Sequence, residues 1–343
     1  MMAVIIRYLL LFVITLSVLI CFSLALAHMF PGDPLTNLSG VTTENAKVIE
    51  HLANKWAIDT NPIHYFMNYC SLLLQGDWGI STISGNQLAA DMARVIPATI
   101  ELSIYSAFIA ICIGVPLGCI AGIKAYTKID YSINAASIIQ YSTPVFWSGL
   151  AFILIFCFQL KLFPLSGRIS VLFNIPHQTG FVLIDIFLAE NIDRKAAFMN
   201  CLHHMVLPSL AVGLVSAAAL ARLVRRSVID VLNKPYISAA RSRGLPFKTI
   251  FFNHVLRNSL LPVLPLAAIQ ITTLITNAMI IEVLFSWPGV GNFLLQAIYQ
   301  QDYSALRIGM LVVSTLVISL TIFADLLNRI IDPKKGSVSD VSI

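Results

Sequence analysis

Residues 225–262 read RRSVIDVLNKPYISAARSRGLPFKTIFFNHVLRNSLLP. Basic residues stand at 225, 226, 234, 241, 243, 248 and 257, with Asp230 as the one carboxylate among them. Apolar runs flank the segment, 206–224 before it and 260–284 after it. Inside it, Asn233 or Lys234 ahead of Pro235 reads as a cap with Pro at the first helical position. A short helix over 236–243 follows, ended by Gly244 ahead of Pro246. Tyr236, Ala239 and Ala240, at i, i+3 and i+4, give that helix a small, mostly apolar face beside a basic one. Such a helix at a membrane surface suits a groove on a partner protein or an anionic lipid surface, and its residues alone leave both open.

The charge concentrated here is scarce elsewhere. Of 343 residues, 57% are hydrophobic and 11% charged, and the mean hydropathy is +0.82. Soluble domains carry roughly 25% charged residues, so the composition argues against a soluble enzyme; a disordered chain needs the opposite balance. About 20 apolar residues, rising 1.5 Å each, cross a hydrocarbon core of roughly 30 Å. Six runs meet that length: 8–27, 99–122, 133–158 (interrupted by Gln140 and Pro144), 206–224, 260–284 and 305–327. Lipid satisfies no exposed backbone group, so each run is predicted to be a helix and the chain all-α and polytopic. With the N-terminus inside, fourteen of the 22 basic residues fall in cytoplasmic segments against five Asp, and the outer segments are net acidic. This is the positive-inside asymmetry, and it predicts cytoplasmic termini. The formal net charge of +5 is the remainder of two opposed totals. Ala25-Leu-Ala27 resembles a signal-peptidase site, but the apolar run before it is longer than a signal h-region of typically 7–15 residues, so a retained first helix is expected.

Between spans lie an outer segment over 28–98 and a second over 161–205, both read as loops with short helices in one transmembrane domain over 1–343. Gly114-Val-Pro116-Leu-Gly118 predicts a kink in the second span. Ser209, Gly213, Ala217 and Ala221 recur every four residues on the fourth span and predict close helix packing. The six Cys show no metal-ligand spacing; Cys70 and Cys201, both outside, are the one pair free to bridge. No GxxxxGK[ST] loop is present, so nucleotide is not held by that device.

The segment at 225–262 also resembles the "EAA" loop of ABC-transporter permeases, through Ala239, Ala240, Gly244 and Leu261-Pro262, with Ser238 where the pattern has Glu. The likeness extends along nearly the whole chain to the dipeptide/oligopeptide permease family. Phe30-Pro-Gly-Asp-Pro34, Gly76-Asp-Trp-Gly79 with Ser81, Pro97-Ala-Thr99 with Glu101-Leu102, and Ile113-Gly-Val-Pro116 carry it. So do Pro144-Val-Phe146, Phe163-Pro-Leu-Ser-Gly167, Phe285-Ser-Trp-Pro-Gly289 with Gly291, and Asp302-Tyr303. Trp147 and the long second outer segment look most like the Sap-type branch, associated with antimicrobial peptides and, in some bacteria, polyamine export. The resemblance implies a type I importer permease fold with six transmembrane helices in the bacterial inner membrane. It also implies a second homologous permease, two cytoplasmic ABC ATPases that bind ATP and Mg, and a periplasmic peptide-binding protein. The chain itself would then be non-catalytic, hold no cofactor or metal and bind no nucleic acid. The loop helix, through Tyr236, Ala239, Ala240, Arg243 and Gly244, would be the ATPase-coupling element.

A translocation path should appear as polar groups on apolar spans. Gln270, Thr273 and Asn277 fall along one face of the fifth span and either line a cavity or hydrogen-bond a partner helix. Glu282, a further pathway candidate, and Glu101 lie near outer span ends, where both read as interfacial anchors that reach water. Asp325 has Arg329 at i+4. Adjacent His203 and His204 point apart on a helix and lack a third ligand, which argues against a metal. An ATPase-independent secondary transporter needs ion-relay carboxylates in mid-span and an intramembrane protease needs Ser/His or paired Asp; neither pattern is evident.

Overall fold

The structure, a computed structural model, describes residues 2–58, 60–190 and 192–331. In chain order its helices are α1 (Met2–Met29), α2 (Pro34–Ser39), α3 (Ala46–Trp56), α4 (Pro62–Leu74) and α5 (Leu88–Ile123). Next come α6 (Lys128–Ser142), α7 (Val145–Phe152, prolonged by the π-helical Ile153–Gln159), α8 (Val182–Leu188) and α9 (Arg194–Leu232). Then follow α10 (Pro235–Ser242), α11 (Phe247–Ile250), α12 (Arg257–Leu260), α13 (Leu264–Leu284), α14 (Val290–Tyr299) and α15 (Tyr303–Ile331). Five of these, α1, α5, α9, α13 and α15, are long and apolar enough to cross a membrane, and the bent pair α6–α7 makes a sixth when counted as one span.

That third span differs from its expectation. It is two helices bent by 100°, with Thr143 extended at φ −80°, ψ 124°. The residue before a proline avoids the helical region, and Pro144 offers no N–H to the helix behind it. Two other helices outrun their apolar runs at the start. α5 starts at Leu88, well before Thr99, and α9 starts at Arg194, where the Asp193 side chain accepts from the Ala196 N–H at 3.0 Å. Hydropathy marks the membrane; caps mark helix ends.

The chain forms two compact units. Unit one comprises residues up to Thr99, Asn174–Ile192 and Ser286–Ser319; unit two comprises Ile100–Phe173, Asp193–Phe285 and the residues from Leu320.

In unit one, several of the motifs prove to be fasteners. In Pro31-Gly-Asp-Pro34, Asp33 caps α2 by accepting from the Thr36 N–H at 3.1 Å, with Pro34 opening the helix. The Ser81 hydroxyl donates to the Asp302 carboxylate at 2.5 Å, and the same carboxylate accepts from the Ala305 N–H at 3.0 Å at the start of α15. Buried Trp287 donates to the Ala98 carbonyl at 2.9 Å, and the Val290 N–H to the Thr99 hydroxyl at 2.8 Å. Around these, Ile20, Leu24 and Ala27 of α1 pack with Leu35 and Leu38 of α2 and with Trp56, Tyr69 and Leu72. Arg307 of α15 is fully buried and donates to the carbonyls of Asn37 and Leu38, to Ser23 and to Tyr69.

In unit two, α9 is the central post. It packs against α6, α7, α12 and α13, and its small-residue stripe meets a second on α5. A side chain at Gly114 would meet the Ala217 carbonyl at 2.7 Å, and one at Gly118 the Ala221 carbonyl at 2.6 Å and Val224 Cβ at 2.7 Å. The glycines flanking Pro116 therefore serve close approach, and the helix of α5 runs on through Pro116. Gly118→Leu should destabilise the protein by about 1–3 kcal/mol, the usual cost of overpacking, lowering its melting temperature in detergent; an unchanged melt would contradict this packing.

Candidate functional site

The segment 225–262 is anchored before it is exposed. Arg225 clasps buried Asp130 of α6 through Nε at 2.5 Å and Nη2 at 2.7 Å, and Asp130 also accepts the Tyr126 N–H at 2.8 Å. The Ser227 hydroxyl donates to the Ser259 carbonyl at 2.6 Å, joining the two ends of the segment. Between them Val224, Val228 and Val231 of α9 form a core with Ile237, Ala240, Ile250, Val255 and Val263.

On that base sits α10. Lys234 is extended at its start (φ −77°, ψ 144°) and Pro235 occupies the first turn, as the sequence predicts. At its end the Gly244 N–H bonds the Arg241 carbonyl at 2.9 Å and the Leu245 N–H the Ala240 carbonyl at 3.3 Å. This pair of bonds is a Schellman close, and it needs a left-handed residue, which Gly244 supplies at φ +76°.

The face expected from Tyr236, Ala239 and Ala240 does not hold together. Ala240 turns into the core beside Ile237, at 7% and 0% exposure, whereas Tyr236 is 45% exposed and Ala239, Arg243 and Gly244 are exposed too. Ile237, which the sequence reading passed over, is the large apolar side chain of the helix, and it draws Ala240, three residues on, inward with it. The outward stripe is Tyr236–Ala239–Arg243. Exposed Leu245, Phe247 and Phe252 stand near it in sequence, with exposed Arg241 and Lys248. Three of these are cations and four are large apolar or aromatic groups, a combination suited to a partner's groove.

On α13, Thr273 is exposed and Gln270 and Asn277 are half-buried, all within one arc of the helix. Glu282 lies off that arc and is fully buried. Glu101 is buried as well, at 2% exposure: it pairs with Arg168 and accepts the Tyr105 hydroxyl at 2.8 Å. Neither is a water-reaching anchor, because position along a span sets depth and says nothing of the direction faced. His203 and His204 each bond a backbone carbonyl, those of Leu162 at 2.5 Å and Asn200 at 2.9 Å. All six cysteines are free thiols, and burial pushes that of Cys70 up from its ordinary range. The Arg329 side chain lies outside the described residues, and with it the expected pairing to Asp325.

Against curated proteins the chain is 36% identical over 329 residues to the "Putrescine export system permease protein SapB" of Escherichia coli (strain K12), covering 96% of each. It is equally identical over the same length to the "Peptide transport system permease protein SapB" of Salmonella typhimurium, again covering 96% of each. To the "Di/tripeptide transport system permease protein DppB" of Pseudomonas aeruginosa it is 33% identical over 310 residues, 90% of this chain and 91% of that one. Among solved structures, a chain of the inward-facing MetNI methionine ABC transporter superposes with a TM-score of 0.53 at 16% identity, covering 70% of this chain and 95% of that one. This likeness supports a type I permease fold. Residues 114–337 match the family described as "Binding-protein-dependent transport system inner membrane component", and the chain belongs to that family.

Proposed function

We propose that this chain, over 1–343, is the transmembrane permease domain of an ATP-driven importer that moves peptides across the bacterial inner membrane. A second, homologous permease pairs with it in the bilayer. Two cytoplasmic ABC ATPases bind ATP and Mg and hydrolyse the nucleotide, and a periplasmic peptide-binding protein delivers the cargo. The chain contributes no catalytic residue and holds no cofactor of its own. Both termini and α10 then face the cytoplasm.

The observation that carries this reading is the outward stripe of α10, Tyr236–Ala239–Arg243, on a helix whose other side is bolted to the core through Ile237 and Ala240. A helix rigidly joined to α9 and free on its outer side can pass a partner's movement into the spans. Closure of the ATPases drives the permease only so far as it binds the two states unequally. Gln270, Thr273 and Asn277 are proposed to line the path, while buried Glu282 would act from behind the wall it helps to form. Peptide cargo is supported by the printed names of the relatives from Salmonella typhimurium and Pseudomonas aeruginosa. A second reading, polyamine movement through the same architecture, has the printed name of the Escherichia coli (strain K12) relative in its favour.

Co-expression with the neighbouring genes followed by pull-down of the tagged chain should bring down a second permease and two ATPases. In proteoliposomes that complex should move peptide on addition of ATP. Gradient-driven flux from the chain without any ATPase would overturn the reading, and ATP-driven flux of putrescine without peptide would favour the second one.

A further inference from the structure

α9 carries two arginines three residues apart, and unit two treats them differently. Arg225 is fully engaged by Asp130. Arg222 pairs with no carboxylate among the described residues. Its guanidinium carbon lies 4.3 Å from the centre of the Tyr141 ring, and its Nε is buried without an acceptor. Arg222 as a whole residue is nevertheless only half-buried. A charge in a membrane-crossing helix is costly unless it faces protein, water or a ligand.

Tyr141 stands in the last turn of α6, immediately before the 100° bend at Thr143–Pro144. Broken backbone at membrane depth is tolerated where it is buried in protein or lines a water-filled cavity. The ring lies against the guanidinium and helps to hold it in place. A ring face offers no lone pair to the N–H donors, which lie in the guanidinium plane. Donors in that plane match the two oxygens of a carboxylate or phosphate. A lysine-like point charge would need no such platform.

We propose that Arg222, oriented by Tyr141, is an oxyanion-binding element near the end of α9 that leads into α10. Its ligand is a carboxylate or phosphate, from either the C-terminus of a peptide cargo or the headgroup of an anionic phospholipid. The first source rests on the peptide reading above and the second is independent of it.

The test uses the complete transporter in proteoliposomes of phosphatidylcholine, with or without phosphatidylglycerol, and trialanine beside its C-terminal amide as cargo. In the cargo arm, the wild type moves the free acid about tenfold faster than the amide, the loss expected when a charged hydrogen bond is removed; Arg222→Gln abolishes that preference. In the lipid arm, phosphatidylglycerol raises wild-type ATPase activity and Arg222→Gln loses the response. Arg222→Lys keeps the charge and retains part of the effect. Tyr141→Leu keeps the arginine, removes its platform and weakens the same response several-fold, which guards against a misfolded Gln variant. Either arm behaving so supports the site. Wild-type indifference to both the carboxylate and the lipid, or Arg222 and Tyr141 variants that keep both responses, overturns it. A wild type that moves neither trialanine nor its amide counts against the peptide reading and leaves the lipid arm to decide the oxyanion site.

Discussion

Tyr236→Glu combined with Ala239→Glu should cut cargo-stimulated ATP hydrolysis by at least about tenfold, the loss expected when one interface hot spot is removed, and leave the permease folded. Both side chains are exposed on the outward stripe of α10, and surface changes of this kind usually alter stability by no more than about 0.5 kcal/mol. Two carboxylates on a stripe that ends in Arg243 and lies near Arg241 and Lys248 would offset most of the positive charge that a partner's groove meets. Ala240→Glu should behave differently. Its carboxylate would enter the cluster of Ile237, Ile250 and Val255, where burying an unpaired polar group costs roughly 2–7 kcal/mol and a charge more. That variant should lose coupling and melting temperature together. Gly244→Ala falls between: a side chain there meets nothing within 4 Å, yet φ is +76°, and left-handed backbone costs a non-glycine residue roughly 1–2 kcal/mol. ATPase assays of the assembled transporter beside thermal melts of the purified permease separate these cases. Normal cargo-stimulated turnover in the Tyr236/Ala239 double variant would remove α10 from the coupling role.

That contrast shows which features were legible in the sequence. The start and stop of α10 were, because Pro235 and Gly244 each have one dominant local use. Its inward side was not, because helical spacing groups Tyr236, Ala239 and Ala240 without saying which side meets the core; burial of Ile237 decides it. The same holds for Glu101 and Arg307, which stand near span ends on a hydropathy scale and are buried within their own units. Hydropathy reads depth in the bilayer, whereas facing is a property of packing. The α9 stripe was legible as a packing surface because small residues every four positions have one geometric consequence. Its mate on α5 was not, because Gly114 and Gly118 flank a proline, which drew attention to a bend and away from close approach. At Pro144 the proline did interrupt the helix; Pro116 lies within one. Local sequence shows that a proline is present, and the surrounding contacts decide whether the helix survives it.

Arg307→Met should be among the most destabilising single changes in unit one, because several buried acceptors lose their donor at once, at about 1–3 kcal/mol each. The guanidinium is fully buried, so its desolvation must be offset inside the protein. No carboxylate pairs with it among the described residues. Its acceptors are neutral: the Asn37 and Leu38 carbonyls at 3.3 and 2.9 Å, the Ser23 hydroxyl at 3.3 Å and the Tyr69 hydroxyl. The two carbonyls belong to the last turn of α2, where they have no helical partner, so the arginine completes a helix end that would otherwise be buried and unsatisfied. It thereby ties α15 to α1 through Ser23, to α2 through its carbonyls and to α4 through Tyr69. Met fills much of the volume but donates nothing, leaving acceptors unpaired at about 1–3 kcal/mol each, partly offset by relief of the buried charge. Arg307→Lys keeps the charge, but a point-like ammonium on a different stem cannot reproduce the planar fork, so its cost should be intermediate. Hydrogen exchange followed by mass spectrometry should find the α2 and α4 amides losing protection in the Met variant, with the α9–α13 amides of unit two changing less. A Met variant that melts like the wild type and keeps α2 protected would mean that the neighbouring apolar cluster of Ile20, Leu24, Trp56 and Tyr69 holds these helices without the arginine.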